Sequence, residues 1–125
     1  MNILFATIRT YWIAITLFIL AVITVLSLYP LQSLPVVPGS DKTHHFIAYS
    51  ALMFPVALRR PKYWIFIGIS FVFLGGGIEL VQPYVNRYGE WLDIAANTAG
   101  IFFGLLAAQA INWFWPDNQN KSRQN

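Results

Sequence analysis

The chain has 125 residues, of which 57% are hydrophobic and only 10% charged, with a formal charge of +3 and no cysteine. Long apolar runs at this composition exclude a small water-soluble domain and point to one compact integral membrane domain. The lack of cysteine excludes disulfides, thiolate nucleophiles and thiolate metal ligands, while basic residues placed at segment ends rather than in a stripe argue against a nucleic-acid partner.

Taken in order, the apolar segments predict an all-α membrane protein, a four-helix bundle. The first span is Tyr11 to Leu28, 18 residues without a charge, and its length of about 27 Å matches the hydrocarbon layer. It exceeds the apolar region of a cleaved signal peptide, and no small-x-small site follows before Pro30. The second span, Thr43 to Leu58, carries His44, His45, Tyr49 and Ser50, so its polar end requires protein neighbours rather than lipid.

The third span, Tyr63 to Val81, starts on interfacial aromatic residues and ends in Gly75-Gly76-Gly77-Ile78-Glu79. Pro83 closes it, because proline cannot continue the helical hydrogen-bond ladder. The fourth, Leu92 to Trp115, contains Asp93, Asn97, Gly100 and Gly104 and finishes on Trp113-Phe114-Trp115-Pro116, an aromatic belt followed by a stop. Residues 1–116 therefore read as one four-span domain and 117–125 as a polar tail.

Orientation follows from the basic residues. With the N-terminus inside, Arg9, Arg59, Arg60, Lys62, Lys121 and Arg123 fall on the cytoplasmic side, six of the eight Lys and Arg. Both termini are then cytoplasmic, and the segments Tyr29 to Lys42 and Pro83 to Trp91 face outward. The two polar stretches, Asp41 to His45 and Glu79 to Asp93, come to the same membrane surface.

At about 100° per residue, Asp93, Asn97, Gly100 and Gly104 share one stripe of the fourth helix. The Gly100-x-x-x-Gly104 pair permits close approach of another backbone, which turns that stripe inward. Glu79 shares a face with Gly75, Gly76 and Gln82, and Asp41 aligns with His45, with Tyr49 beside them. These faces predict an outer-leaflet pocket made of Asp41, Lys42, His45, Tyr49, Glu79, Gln82, Arg87, Asp93 and Asn97, with Gly75, Gly76, Gly100 and Gly104 as packing positions. Ionisable groups inside a span are costly and mark sites. Simpler roles stand beside this one: Asp41 and Asp93 as helix caps, His45 and Tyr49 as a structural pair, Glu79 reaching back to the interface, Arg87 as a loop cation.

Two motifs carry a family resemblance. Asp41-Lys42-x-x-His45-Phe46-x-x-Tyr49-x-x-Leu52, followed by Glu79-x-x-Gln82, Arg87 and Asp93-x-x-x-Asn97-x-x-Gly100-x-x-x-Gly104, resembles the VanZ-like family of small bacterial membrane proteins over roughly Asp41 to Gly104. The segment between Gln82 and Asp93 is compact here, which makes the match of Arg87 looser than that of Asp93. The resemblance implies a multi-pass protein of the bacterial cytoplasmic membrane. For the family's namesake it implies reduced susceptibility to teicoplanin, a glycopeptide antibiotic. For this chain it leaves antibiotic susceptibility and general envelope physiology both open.

The leading functional expectation is recognition or modification of a cell-envelope lipid, a lipid-linked glycan or a lipophilic glycopeptide, with Lys42 and Arg87 toward phosphate or carboxylate and Gln82 and Asn97 toward the headgroup. A membrane enzyme is the alternative, with His45 as general acid or base oriented by Asp41 or Asp93, and Glu79 as a second carboxylate. Proton relay through His45, Glu79 and Asp93 would need an oligomer, since four helices without a repeat leave little room for alternating access. A non-catalytic adaptor completes the set. A metal version would draw on His45, Glu79 and Asp93, but His44 and His45 project about 100° apart on one helix, and the expectation is no metal and no cofactor.

Overall fold

The computed structural model describes residues 2–28, 41–82 and 91–115, with the backbone alone described at Asn2, Asp41 and Trp91. The described residues are all-helical, in five helices: α1 (Asn2–Thr10), α2 (Trp12–Leu28), α3 (Asp41–Arg59), α4 (Trp64–Val81) and α5 (Trp91–Phe114). Two of them, α4 and α5, are long and apolar enough to cross a membrane, and α1 with α2, bent by 77° at their junction, makes a third if the pair is one span. Large apolar side chains such as Phe18, Phe66, Phe73, Phe102 and Leu106 stand exposed on these helices. Such an exterior suits contact with lipid and is unfavourable in water.

Four of the five helices fall on the expected apolar segments. The additional one, α1, carries Arg9 and lies outside the uncharged run from which the first span was read. Its Phe5 packs on the Trp115 ring, with centroids 5.6 Å apart. Arg9 itself is buried: Nη2 donates to Asn112 Oδ1 at 2.7 Å and to the Trp115 carbonyl at 2.6 Å. Asn112 Nδ2 in turn donates to Leu58 O at 3.2 Å. Carbonyls at helix C-termini have no partner within the helix, and this network supplies partners at the ends of α3 and α5.

α3 is the least apolar of the four long helices, yet it lies at the centre. Leu52, Met53, Val56, Ala57 and Leu58 are all essentially inaccessible. Protein neighbours rather than lipid surround this helix, which is why it tolerates polar residues at its N-terminal end. α3 and α5 run parallel at very close range: a Cβ on Gly100 would collide with the Phe46 carbonyl, and one on Gly104 would sit 2.5 Å from the Ser50 carbonyl. Ser50 Oγ strengthens the seam by bridging Phe46 O at 2.7 Å and Gly100 O at 3.0 Å. In membranes, where burial of apolar surface drives little helix association, close backbone packing of this kind is a main source of cohesion.

α4 runs antiparallel to α3, with Gly68 against Met53 and Gly75 against Tyr49. α3 is stopped just past Arg59 by Arg60, which has a positive φ of 52° and donates its N–H to Val56 O at 2.9 Å, a left-handed C-terminal stop followed by Pro61. The Arg60 guanidinium lies 5.4 Å from the Trp64 ring centre.

Candidate functional site

The end of the molecule opposite the Arg9 network gathers the first turns of α3 and α5 and the last turns of α4. Each contributes polar side chains to one buried cluster. His45 and Tyr49 come from α3, Glu79 and Gln82 from the end of α4, and Asp93 and Asn97 from α5. Glu79 is 5% exposed, Asp93 4%, Asn97 2% and Gln82 1%. Burying so many polar groups among apolar helices is favourable only when they satisfy one another or a ligand.

His45 Nδ1 lies 2.8 Å from Asn97 Oδ1 and 3.9 Å from Glu79 Oε1. Because the Asn97 carbonyl oxygen only accepts, this contact places a proton on Nδ1. His45, Glu79 and Asp93 offer nitrogen and oxygen atoms that all lie within 4.8 Å of one another.

Gly75 makes the arrangement sterically feasible. A Cβ there would stand 2.9 Å from Asn97 Nδ2 and 3.2 Å from the Tyr49 hydroxyl, so a bare backbone at this turn of α4 lets both side chains lie against it. Gln82 Nε2 donates to Ser27 O at 3.1 Å, tying the end of α4 to the end of α2. Its Oε1 is buried without a hydrogen-bond partner among the described residues.

Of the expected pocket residues, His45, Tyr49, Glu79, Gln82, Asp93 and Asn97 are thus brought together. Lys42 stands exposed at the same end of α3, outside the buried cluster. Arg87 and the side chain of Asp41 lie outside the described residues, as does the tail 117–125. Among the packing glycines, Gly75, Gly100 and Gly104 meet neighbours, whereas a Cβ on Gly76 would meet nothing within 4 Å. The packing role expected of Gly76 is corrected on this point: adjacent helical positions point about 100° apart, so Gly75 and Gly76 cannot both face the same neighbour.

Sequence reasoning passed over Asn112 and treated Arg9 only as a topology signal. The inward stripe of α5 continues from Gly104 through Ala108 to Asn112 in steps of four, so Asn112 carried a readable sign. The Ser27 contact is made by a backbone carbonyl and has no side-chain signature.

No family model matches the chain, and neither a curated protein nor a solved structure matches it.

Proposed function

We propose that the chain is a multi-pass protein of the bacterial cytoplasmic membrane, a VanZ-like four-helix bundle with both termini in the cytoplasm. Its polar cluster binds the headgroup of an envelope amphiphile, such as a phospholipid, a lipid-linked glycan or a lipophilic glycopeptide. The observation that carries this reading is the convergence of His45, Tyr49, Glu79, Gln82, Asp93 and Asn97 from three helices at one end of an otherwise apolar assembly. Intramembrane ionisable groups of this density serve ligands or protons far more often than they serve folding alone. The charge bias supports an outward position for the cluster, since Arg9, Arg59, Arg60 and Lys62 lie at the other end.

A groove between α2 and α4 adds to the case. It is lined by Leu28, Phe73, Gly77, Ile78 and Val81 among others, with a volume of ≈ 540 Å³. The groove follows the last turns of α4, whose other face carries Glu79 and Gln82, so an acyl chain held there ends at the level of the cluster.

Native mass spectrometry of detergent-purified protein tests the proposal. One selectively retained amphiphile is expected, lost or weakened in Glu79→Gln and Asp93→Asn. An unselective lipid profile, the same in parent and variants, favours the adaptor alternative. A catalytic reading rests on one specific observation: Asn97 holds the His45 ring through Nδ1 at 2.8 Å beside two carboxylates, an arrangement suited to general acid–base work. Turnover of the retained amphiphile by the parent but not by His45→Gln distinguishes catalysis from binding.

A further inference from the structure

We propose that His45, Glu79 and Asp93 form a binding site for a divalent transition-metal ion, with zinc the best match. Zinc holds imidazole nitrogen and carboxylate oxygen at about 2.0–2.2 Å, so donors on a single ion stand at most about 4.4 Å apart. The three side chains already offer donors within 4.8 Å of one another, and side-chain adjustment of roughly an ångström closes them on an ion of that size. One nitrogen with two carboxylates supplies three protein ligands, the number used in catalytic zinc sites, in which a fourth position stays open for water or substrate. Magnesium prefers an all-oxygen octahedron that retains several waters, which a buried cluster containing an imidazole does not provide.

Two further features point to a cation. Histidines that bind metals almost always donate their other ring N–H to a carbonyl or carboxylate; His45 Nδ1, 2.8 Å from Asn97 Oδ1 and 3.9 Å from Glu79 Oε1, takes this role when the ion is held by Nε2. Gln82, one turn beyond Glu79, keeps its buried Oε1 without a hydrogen-bond partner among the described residues, an acceptor left for a water or cation at this end of α4. The donors come from α3, α4 and α5, so the site exists only once these helices have packed. The objection that His44 and His45 diverge on one helix does not touch it, because His44 takes no part; the proposal departs from the metal-free expectation drawn from the sequence.

The site goes beyond the headgroup reading and does not require it. A bound cation would nevertheless add positive charge where an anionic headgroup docks, and would lower the pKa of a bound water.

The test is zinc binding by the full chain purified in detergent. Protein stripped with a chelator, incubated with Zn²⁺ and desalted is analysed by elemental mass spectrometry, with Mg²⁺ as a separate arm. About one Zn²⁺ per chain is expected to remain, with no retained Mg²⁺. Glu79→Gln and Asp93→Asn preserve side-chain shape, and each should abolish stoichiometric retention while helicity by circular dichroism stays at the parent level. Asn97→Ala, which keeps the three proposed ligands and removes the support of His45, should weaken zinc affinity roughly 10–100-fold. Failure of the parent to retain zinc, or equal retention by folded Glu79→Gln and Asp93→Asn, overturns the site. Where a variant loses helicity, zinc-induced protection of Asp93 and Glu79 from carbodiimide labelling in the parent decides instead: protection supports the site, and unchanged labelling overturns it. Lipid retention is read by native mass spectrometry on the same preparation, so a failed metal site and a failed headgroup site give separate results.

Discussion

Gly100 of α5 lies directly against the Phe46 carbonyl of α3, with no room for even a methyl group between the two backbones. One turn on, Gly104 repeats the contact with the Ser50 carbonyl. This seam sets the register of α3 against α5, and the register in turn places His45 opposite Asn97.

Backbone cannot move aside as a side chain can. Gly100→Ala is therefore expected to destabilise the protein by about 1–3 kcal/mol, the usual cost of forcing extra volume into a packed core. Gly76→Ala, where the added methyl meets open space, should leave stability unchanged or slightly raised, because alanine favours helix. Thermal unfolding in detergent, followed by circular dichroism, checks both; equal behaviour of the two variants contradicts the seam.

Gly75 connects packing to the site. Its substitution by alanine places a methyl 2.9 Å from Asn97 Nδ2 and 3.2 Å from the Tyr49 hydroxyl, and both side chains must shift. The expected result is a small fall in thermal stability together with a clear loss of ligand retention. Native mass spectrometry of Gly75→Ala beside the parent reads this directly.

At the opposite end, Arg9 joins α1 to α5 by bonds to Asn112 and the Trp115 carbonyl. Hydrogen bonds made by a charged group contribute about 1.5–3 kcal/mol, so Arg9→Ala should lower the unfolding midpoint and make the segment before Trp12 sensitive to protease. Ligand retention at the distant cluster should survive in the fraction that stays folded. Limited proteolysis with mass mapping of the first cleavage site measures the effect.

The helical class and the long apolar segments were legible because the sequence has few charges and places them at segment ends. The faces of α3, α4 and α5 were legible for a related reason: a polar residue inside an apolar helix stands out, and the 3.6-residue period of a helix says which others it stands beside. Asp93, Asn97, Gly100 and Gly104 are the clearest case. Hydropathy was a poorer guide to depth, since α3 ranks as the weakest span on composition and is the most buried helix in the structure. Helix α1 was hidden because nine residues ending near a buried arginine carry neither the length nor the periodicity of a span. Arg9 shows the limit of counting charges, for its sign is consistent with a topology signal while its side chain is committed to a hydrogen-bond network. Gly75 and Gly76 could not be separated without knowing which face of α4 meets Tyr49.

The most direct test of the central claim, that polar groups from three helices meet at one end of the fold, is disulfide cross-linking in native membranes. The chain has no cysteine of its own, so each introduced pair reports alone. Pairs combining His45→Cys with Asn97→Cys, and His45→Cys with Glu79→Cys, should cross-link within one chain under mild oxidation or with a short bifunctional thiol reagent that spans the side-chain length lost on substitution. His45→Cys with Asn112→Cys, which places the second thiol at the far end of α5, should not. Cross-linking of the first two pairs no faster than the third would contradict the account.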